Sequence, residues 1–177
     1  MRKAVAAIAA LASLVCLGIA VPGLSAGQDA GARIVIRGHD GGVLASAPLG
    51  GVRDGAHFAV SYRNSIYGTL AEERYAVLPD GRFRLVQIAA DQLAVLEEYY
   101  ALATAPRRAG GPDRREWVAP PDPAPDPARP AVFETLSIAA TDLGKRTVHI
   151  PGQPPIELWR LAEDEYPFVV LDIETSP

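Results

Sequence analysis

The chain has 177 residues and a formal net charge of −4, which is enough for one domain with a real hydrophobic core and too few for two comfortable ones. The charge is mildly acidic and shows no long run of one sign, and this argues against nucleic acid as a partner, because phosphate binding needs a clustered basic surface.

The N-terminus has the order of an export signal. A short basic start, Met1–Lys3, precedes the apolar run Ala4–Val21, and small residues follow up to Ala26. We therefore predict a signal peptide over residues 1–26 and a location in the periplasm or on the extracytoplasmic face of the membrane. The alternative is an uncleaved membrane anchor, because about 18 apolar residues are just long enough to span a bilayer, and this is the only membrane contact that we expect.

Cleavage would leave a chain with no cysteine, because Cys16 lies inside the apolar run. Neither disulfides nor thiol chemistry is then available. Removal of Arg2 and Lys3 leaves 15 basic against 21 acidic residues, a formal net charge of −6. Residues 27–177 are expected to form a single β domain.

The first half of that domain is typical of short strands joined by turns. A β-branched run, Arg33–Arg37, predicts a strand, and Val43–Ala45 its hairpin partner, with a loop over Pro48–Gly55. Apolar and polar residues alternate over Phe58–Tyr62, as in a half-buried strand. The same alternation over Glu73–Leu78 predicts the next strand.

The middle of the chain contains a turn, a phase change and an ambiguous segment. Pro79–Gly81 predicts a tight turn. The alternation that follows slips at Val86, which suggests a bulge or a strand end. Helical spacing of apolar residues over 91–103 predicts a short helix or irregular crossover, with Asp91 as its cap. The Pro-rich segment 106–130 is expected to be an extended surface loop without regular pairing, because proline lacks the amide donor.

The C-terminal third resumes the strand pattern. Strands are predicted over Val132–Ile138, Arg146–Ile150 and Pro167–Glu174, separated by turns. Strands at intervals of about 8–12 residues with little helix point to an all-β fold. We expect an antiparallel β-sandwich or open barrel, with at most one short helix near 91–103.

The sequence supports no catalytic, metal or cofactor site. His39, His57 and His149 lack the spacing of metal pairs, and His149 is expected on the outward face of its strand. Ser65 lacks the motif of a serine hydrolase. Glu72 and Glu73 would point to opposite faces of a strand, which makes them a poor acid and base pair.

The segment between the strands at Phe58–Tyr62 and Glu73–Leu78 concentrates aromatic, amide, hydroxyl and charged side chains. Such groups at a strand end can recognise a ligand or a partner, with the aromatics supplying area and the polar groups orientation. The alternative is a structural corner whose side chains hydrogen-bond their own backbone. The candidate binding residues are Tyr62, Arg63, Asn64, Ser65, Tyr67, Thr69, Glu72 and Glu73.

The pattern F-x-V-x-Y-x-N-S-I-Y-G-T-L-x-E-E over residues 58–73 resembles the signature of an exported bacterial family catalogued as domain of unknown function 1850. The lead-in at Gly42–Ala45 and Pro48-Leu49 and the Asp80-Gly81 turn are also similar to that family. Two positions depart from it: Asn64 stands where the family has histidine, and Leu70 where it has proline. If that histidine titrates or binds metal in relatives, this chain has lost the role, because an amide does neither.

The resemblance implies a genomic context and no established activity. Family members are often encoded beside tripartite transporters of the TRAP type whose binding proteins belong to the TAXI class. The expected function is therefore a non-enzymatic accessory to solute uptake, with a TAXI-type binding protein, a TRAP permease or a small organic solute as partner. An envelope hydrolase using Ser65 or the Glu72/Glu73 region, and a purely structural envelope protein, remain as alternatives.

Overall fold

The structure is a computed structural model that describes residues 31–50, 55–122 and 132–175. The predicted signal peptide or anchor at 1–26 lies outside these residues. Within the described ranges, no helix is long and apolar enough to cross a membrane.

The described residues form short strands, one α-helix and one 3-10 turn at Leu158–Arg160. In chain order the elements are β1 (Ala32–Arg37), β2 (Val43–Gly50), β3 (His57–Arg63), β4 (Leu70–Val77), β5 (Phe83–Ala90), α1 (Leu93–Tyr99), β6 (Arg107–Arg108), β7 (Trp117–Ala119), β8 (Val132–Phe133), β9 (Thr135–Ala139), β10 (Thr147–His149), β11 (Ile156–Glu157) and β12 (Phe168–Thr175).

Two sheets account for all of these strands. The smaller sheet has the order β2-β1-β12-β9. The larger sheet has the order β11-β10-β3-β4-β5-β7-β6, and β8 pairs with the other end of β5. Every pairing is antiparallel. The all-β prediction, with one short helix, is confirmed.

The inner faces of the two sheets enclose the main core. Phe58 of β3 and Tyr75 of β4 stack with ring centroids 5.0 Å apart, and Phe83 of β5 meets both rings edge-on. Ile34 and Leu171 from the smaller sheet belong to the same buried cluster. Burial of each such side chain contributes about 1.5–3 kcal/mol to the free energy of folding. The packing of this cluster is therefore what holds the two sheets together.

A second buried cluster forms where α1 packs on the larger sheet. Val95 and Leu96 of α1 are fully buried against Ala71 of β4 and Ile88 of β5. Ala71 lies on the same face of β4 as Tyr75, because alternate residues of a strand share a face. The inner face of the larger sheet is therefore covered by the smaller sheet along one part and by α1 along another.

Several local predictions are confirmed. The pairing of β4 with β5 passes from Arg74 opposite Gln87 to Tyr75 opposite Leu85. Val86 is therefore the extra residue of a bulge, at the point where the sequence pattern slips. The turn before β5 places Gly81 at a φ of +85°, a conformation that glycine adopts without a steric penalty.

Other predictions were wrong. β2 does not end at Ala45 but continues through Pro48 to Gly50, which is possible because β2 is an edge strand and proline is tolerated there. The strand at Phe58–Tyr62 is not half-buried on one face, since Ala59 and Ser61 are buried as well as Phe58 and Val60. The predicted strand over Val132–Ile138 divides at Glu134 into β8 and β9, which belong to different sheets.

The segment 106–130 is also not an unpaired loop throughout. Arg107 and Arg108 of β6 pair with β7, and β7 pairs with β5; residues 123–130 lie outside the described ranges. The described prolines of this segment, at 106, 112, 120 and 121, lie outside β6 and β7, so neither strand loses an amide donor; Pro121 forms only an isolated bridge with Leu102. The predicted helix near 91–103 is present, but Gln92 and not Asp91 precedes it as the cap residue.

The core contact between the sheets predicts a large cost for truncating Leu171, which is fully buried. We expect Leu171→Ala to lower the free energy of unfolding by about 2–5 kcal/mol, measured by urea denaturation. Leu143→Ala is the matched control, because Leu143 is 70% exposed and its truncation should change stability by about 0.5 kcal/mol or less. Equal effects of the two substitutions would contradict this description of the core.

Candidate functional site

Two polar cavities lie on opposite sides of β4. Glu72 and Glu73 are consecutive residues of this strand, so their side chains point to opposite faces of the larger sheet, as predicted. Glu73 lies on the inner face, opposite Val60 of β3, and Glu72 on the outer face, opposite Ser61. The predicted binding surface is thus divided between the two cavities.

The inner cavity, which we call the tyrosine cleft, has a volume of about 440 Å³. It lies on the inner face of the larger sheet between the part covered by the smaller sheet and the part covered by α1, and its Tyr62 wall belongs to the second cluster. It is lined by Tyr62, Arg63, Asn64, Ser65, Glu73, Tyr99, Tyr100, Thr141, Leu143, Gly144 and Arg146.

Tyrosine hydroxyls surround the Glu73 carboxylate in this cleft. Tyr75 Oη donates to Glu73 Oε2 at 2.7 Å, and Tyr100 Oη donates to Oε1 at 3.1 Å. Tyr62 Oη lies 2.6 Å from Tyr100 Oη. Because the Tyr100 proton points to Glu73, the Tyr62 hydroxyl is the donor in this bond. The result is a chain of two hydroxyls that ends on the carboxylate.

These hydroxyls are held in the protonated form. Burial raises the pKa of Tyr75 and Tyr100, and the Glu73 charge raises both further. Burial also raises the pKa of Tyr62. A tyrosine that stays neutral keeps its O–H as a donor. The cleft therefore presents fixed hydroxyl donors around one carboxylate.

Arg146 provides the opposite charge in the cleft. It is half-buried, and its guanidinium lies 5.6 Å from the centroid of the Tyr62 ring, which is within cation–π range. Its Nη1 donates to the carbonyl of Ala139 at 2.9 Å. Among the described residues, no Asp or Glu forms a salt bridge with Arg146.

Asn64 has the structural role that the sequence allowed as the alternative. It is only 5% exposed, and its Oδ1 accepts hydrogen bonds from the backbone amides of Ile66 and Tyr67 at 3.0 and 2.9 Å. The backbone N–H of Asn64 donates to the backbone carbonyl of Thr69, and the backbone N–H of Gly68 donates to the backbone carbonyl of Asn64. Asn64 therefore shapes the corner between β3 and β4, which places Tyr62 and Glu73 beside one another.

The remaining candidates from the sequence separate into two groups. Arg63 and Ser65 line the tyrosine cleft near its rim, and both are exposed. No His, Asp or Glu of the described chain hydrogen-bonds Ser65, so a hydrolytic role for it has no structural basis. Tyr67 is directed away, since its hydroxyl donates to Glu98 at 2.7 Å. Thr69 is half-buried and lines neither cavity.

The outer cavity, which we call the arginine cavity, has a volume of about 730 Å³. Glu72 lies at its floor with no solvent exposure. Its Oε1 accepts from Arg74 Nε at 2.7 Å and from Arg114 Nη2 at 3.0 Å. Arg115 Nε lies 3.6 Å from Oε2 in an ion pair without a hydrogen bond. Three guanidinium groups thus converge on one buried carboxylate.

Two further carboxylates complete this charge cluster. Asp113 pairs with Arg74 through two hydrogen bonds of 2.6 and 2.8 Å, and Asp91 accepts from Arg115 Nη1 at 3.2 Å. Arg114 is then the remaining partner of Glu72, so three cations balance three anions. The cluster fastens the β6–β7 connection onto the outer face of β4, and we assign it a structural role.

His149 lies on the outward face of its strand, as expected, but at the edge of the arginine cavity and not on an open surface. It is half-buried, and its Nε2 lies 2.8 Å from Ser61 Oγ. Burial lowers the pKa of His149, and the nearby Arg114 charge lowers it further, so the ring is neutral at pH 7. No carboxylate of the described residues hydrogen-bonds the other ring nitrogen, which leaves the Ser61–His149 pair without the third member of a triad.

Metal binding has no geometric support in the described part of the chain. No group of three or more His, Cys, Asp or Glu side chains there is placed to hold an ion.

Sequence reasoning missed Tyr100 and Arg146 in the tyrosine cleft. Both reach it through pairings between distant segments: Tyr100 through α1, and Arg146 through the pairing of β10 with β3. The local signals were the adjacent tyrosines at the end of the predicted helix and an arginine at the start of a predicted strand. Neither signal identifies a partner without the sheet order.

The charge cluster predicts that Glu72 is essential for stability. Because Glu72→Gln leaves three guanidinium groups around a neutral amide, we expect the free energy of unfolding to fall by about 3–5 kcal/mol, measured by urea denaturation at pH 7. Glu116→Gln is the control, since Glu116 pairs with Arg108 on the surface and should cost about 1 kcal/mol or less. A small effect of Glu72→Gln would show that the β6–β7 connection is held by other contacts.

Asp113 predicts a specific dependence on pH. Its hydrogen bonds to Arg74 lower its pKa to about 2 from the usual 3.8, so its contribution to stability is present above pH 3.8 and is lost as the pH falls through 2. We therefore expect the difference in free energy of unfolding between wild type and Asp113→Asn to shrink as the pH falls from about 5 to 2. Asp164→Asn, at an exposed site, should give a small difference at every pH; a parallel loss there would point to a global effect.

Comparison of the chain with protein-family models, with curated proteins and with solved structures finds no match. The similarity of residues 58–73 to the exported family therefore remains an expectation.

Proposed function

We propose that this protein is a non-enzymatic, extracytoplasmic β domain that assists solute uptake by binding a solute in the tyrosine cleft. One observation carries the proposal: the cleft combines oriented tyrosine hydroxyls, a carboxylate and a guanidinium in about 440 Å³ between two apolar clusters. A few convergent polar groups set in apolar walls are characteristic of ligand sites.

The transport context comes from the sequence alone. The segment 58–73, which resembles the TRAP-associated family, supplies Tyr62, Asn64 and Glu73 to the cleft. A TAXI-type binding protein or a TRAP permease is accordingly the proposed protein partner. The predicted signal peptide at 1–26 supports the extracytoplasmic location in which such a partner would be met.

Hydrolysis is a weaker alternative, and it rests on Ser61 and not on Ser65. Ser61 and His149 form a hydrogen-bonded pair beside the arginine cavity. Ser61 is only 6% exposed and lies within β3, where a substrate carbonyl has little access. Labelling with a fluorophosphonate probe distinguishes the two functions, since a binding domain should not react and an active serine should.

Ligand binding predicts a thermal shift that depends on the cleft. Because a ligand that binds only the folded state stabilises it by mass action, we expect an organic acid or amino acid to raise the melting temperature of the wild type. Glu73→Gln and Tyr100→Phe should abolish the shift, because the first removes the negative charge of the cleft and the second removes one of its hydroxyl groups. Glu116→Gln, on the surface away from it, should keep the shift.

A partner assay tests the same proposal in a second way. The wild type should co-purify with a TAXI-type binding protein or a TRAP permease, and a deletion strain should take up the solute more slowly. Unimpaired uptake together with no association and no thermal shift would overturn the proposal and favour a purely structural envelope protein.

A further inference from the structure

The tyrosine cleft contains two charges of opposite sign, and neither has a charged partner in the described structure. Glu73 accepts only from the neutral hydroxyls of Tyr75 and Tyr100. Arg146 donates to a backbone carbonyl and stacks near Tyr62. Both are half-buried, and no salt bridge joins them. Half-buried charges are normally compensated, since removing them from water is costly.

Each charge also has unused hydrogen-bonding capacity. A carboxylate offers about four lone-pair sites, and an arginine five N–H donors. Glu73 receives two hydrogen bonds in the cleft, and Arg146 makes one there. The contrast with the arginine cavity is direct, because Glu72 is balanced there by neighbouring guanidinium groups.

Both charges act on the same hydroxyl groups. The Glu73 charge raises the pKa of Tyr62 and Tyr75, and the Arg146 charge lowers the pKa of both. Glu73 and Arg146 also line the same cavity of about 440 Å³, and no salt bridge joins them. One small molecule in the cleft can therefore contact both charges. A ligand that carries both a positive and a negative charge would form an ion pair with Glu73 and another with Arg146.

We propose that the tyrosine cleft binds a zwitterionic amino acid with an apolar side chain, its ammonium at Glu73 and its carboxylate at Arg146. Tyr99 and Leu143 line the cleft at its rim and are 38% and 70% exposed. An apolar side chain of the ligand would pack against these two residues. This inference rests on the proposed function, since it names the solute class for the same cleft.

Solutes with one charge satisfy only half of this arrangement. A monocarboxylate pairs with Arg146 and leaves Glu73 without a cation, and an amine leaves Arg146 without an anion. Because hydrogen bonds to charged groups are among the stronger polar contacts, we expect the loss of one charge to weaken binding roughly ten- to hundredfold. Discrimination between matched analogues is therefore the measurable consequence.

The test uses isothermal titration calorimetry of the mature protein with three probes of one carbon skeleton. L-Leucine carries both charges, 4-methylpentanoate lacks the ammonium, and isopentylamine lacks the carboxylate. We expect L-leucine to bind and both analogues to bind about tenfold or more weakly.

Two variants test which charged group of the ligand binds to Glu73 and which binds to Arg146. Glu73→Gln should lower the affinity for L-leucine and remove its advantage over 4-methylpentanoate, because the ammonium has lost its partner. Arg146→Gln should remove the advantage over isopentylamine in the same way. Glu116→Gln and Arg108→Gln are the matched controls at the surface pair and should leave all three affinities unchanged. Circular dichroism melting curves identify any variant that fails to fold, and Tyr62→Phe then serves as the milder substitution in the same cleft.

Three outcomes would overturn the inference and separate it from the proposed function. Equal affinity for L-leucine and one analogue would show that the cleft does not require a zwitterion. If Glu73→Gln still weakens the binding of a solute in that case, the cleft remains a solute-binding site. Absence of binding by L-leucine, L-phenylalanine and L-methionine at about 10 mM, with partner capture retained, overturns the solute class and leaves a protein-binding function. Absence of both overturns the inference and the proposed function together.

Discussion

The structure depends on one property of β4: both of its faces are covered. A strand alternates its side chains between faces, so two adjacent glutamates must enter two different covered environments. Glu72 enters the outer one, where its complete burial requires the guanidinium groups of Arg74, Arg114 and Arg115. Glu73 enters the inner one, where neutral tyrosine hydroxyls receive it. Adjacent residues of one type thus acquire different roles.

The outer environment explains how a segment rich in arginine and proline is held in a folded domain. β6 and β7 are only two and three residues long, and such short strands have little stability of their own. The Arg–Asp–Glu cluster adds contacts between their connection and β4. A buried ion cluster contributes little net stability compared with apolar packing, but it is intolerant of the loss of one member, so it fixes where the connection lies.

The sequence predicted most of the strands, a bulge or a strand end at Val86 and the opposite directions of Glu72 and Glu73, because these follow from local alternation. It also predicted eight candidate binding residues, five of which line the tyrosine cleft. It missed the pairing at 107–119, because arginine and proline mask the strand signal. It also missed Arg146, because only the pairing of β10 with β3 brings that residue to the cleft. Order among distant strands is not encoded in spacing.

The same nonlocal origin bears on function. Tyr100 reaches the cleft from the residue that follows α1, Arg146 from the residue that precedes β10, and Glu73 from the middle of β4. The cleft therefore exists only when α1, the larger sheet and the β9–β10 connection are in place, and its polar groups are pre-positioned by the two apolar clusters that flank it. Pre-positioned groups lose little conformational freedom on binding. Asn64 contributes indirectly, because it fixes the corner through backbone hydrogen bonds and so sets the spacing of Tyr62 and Glu73 without offering a charge of its own.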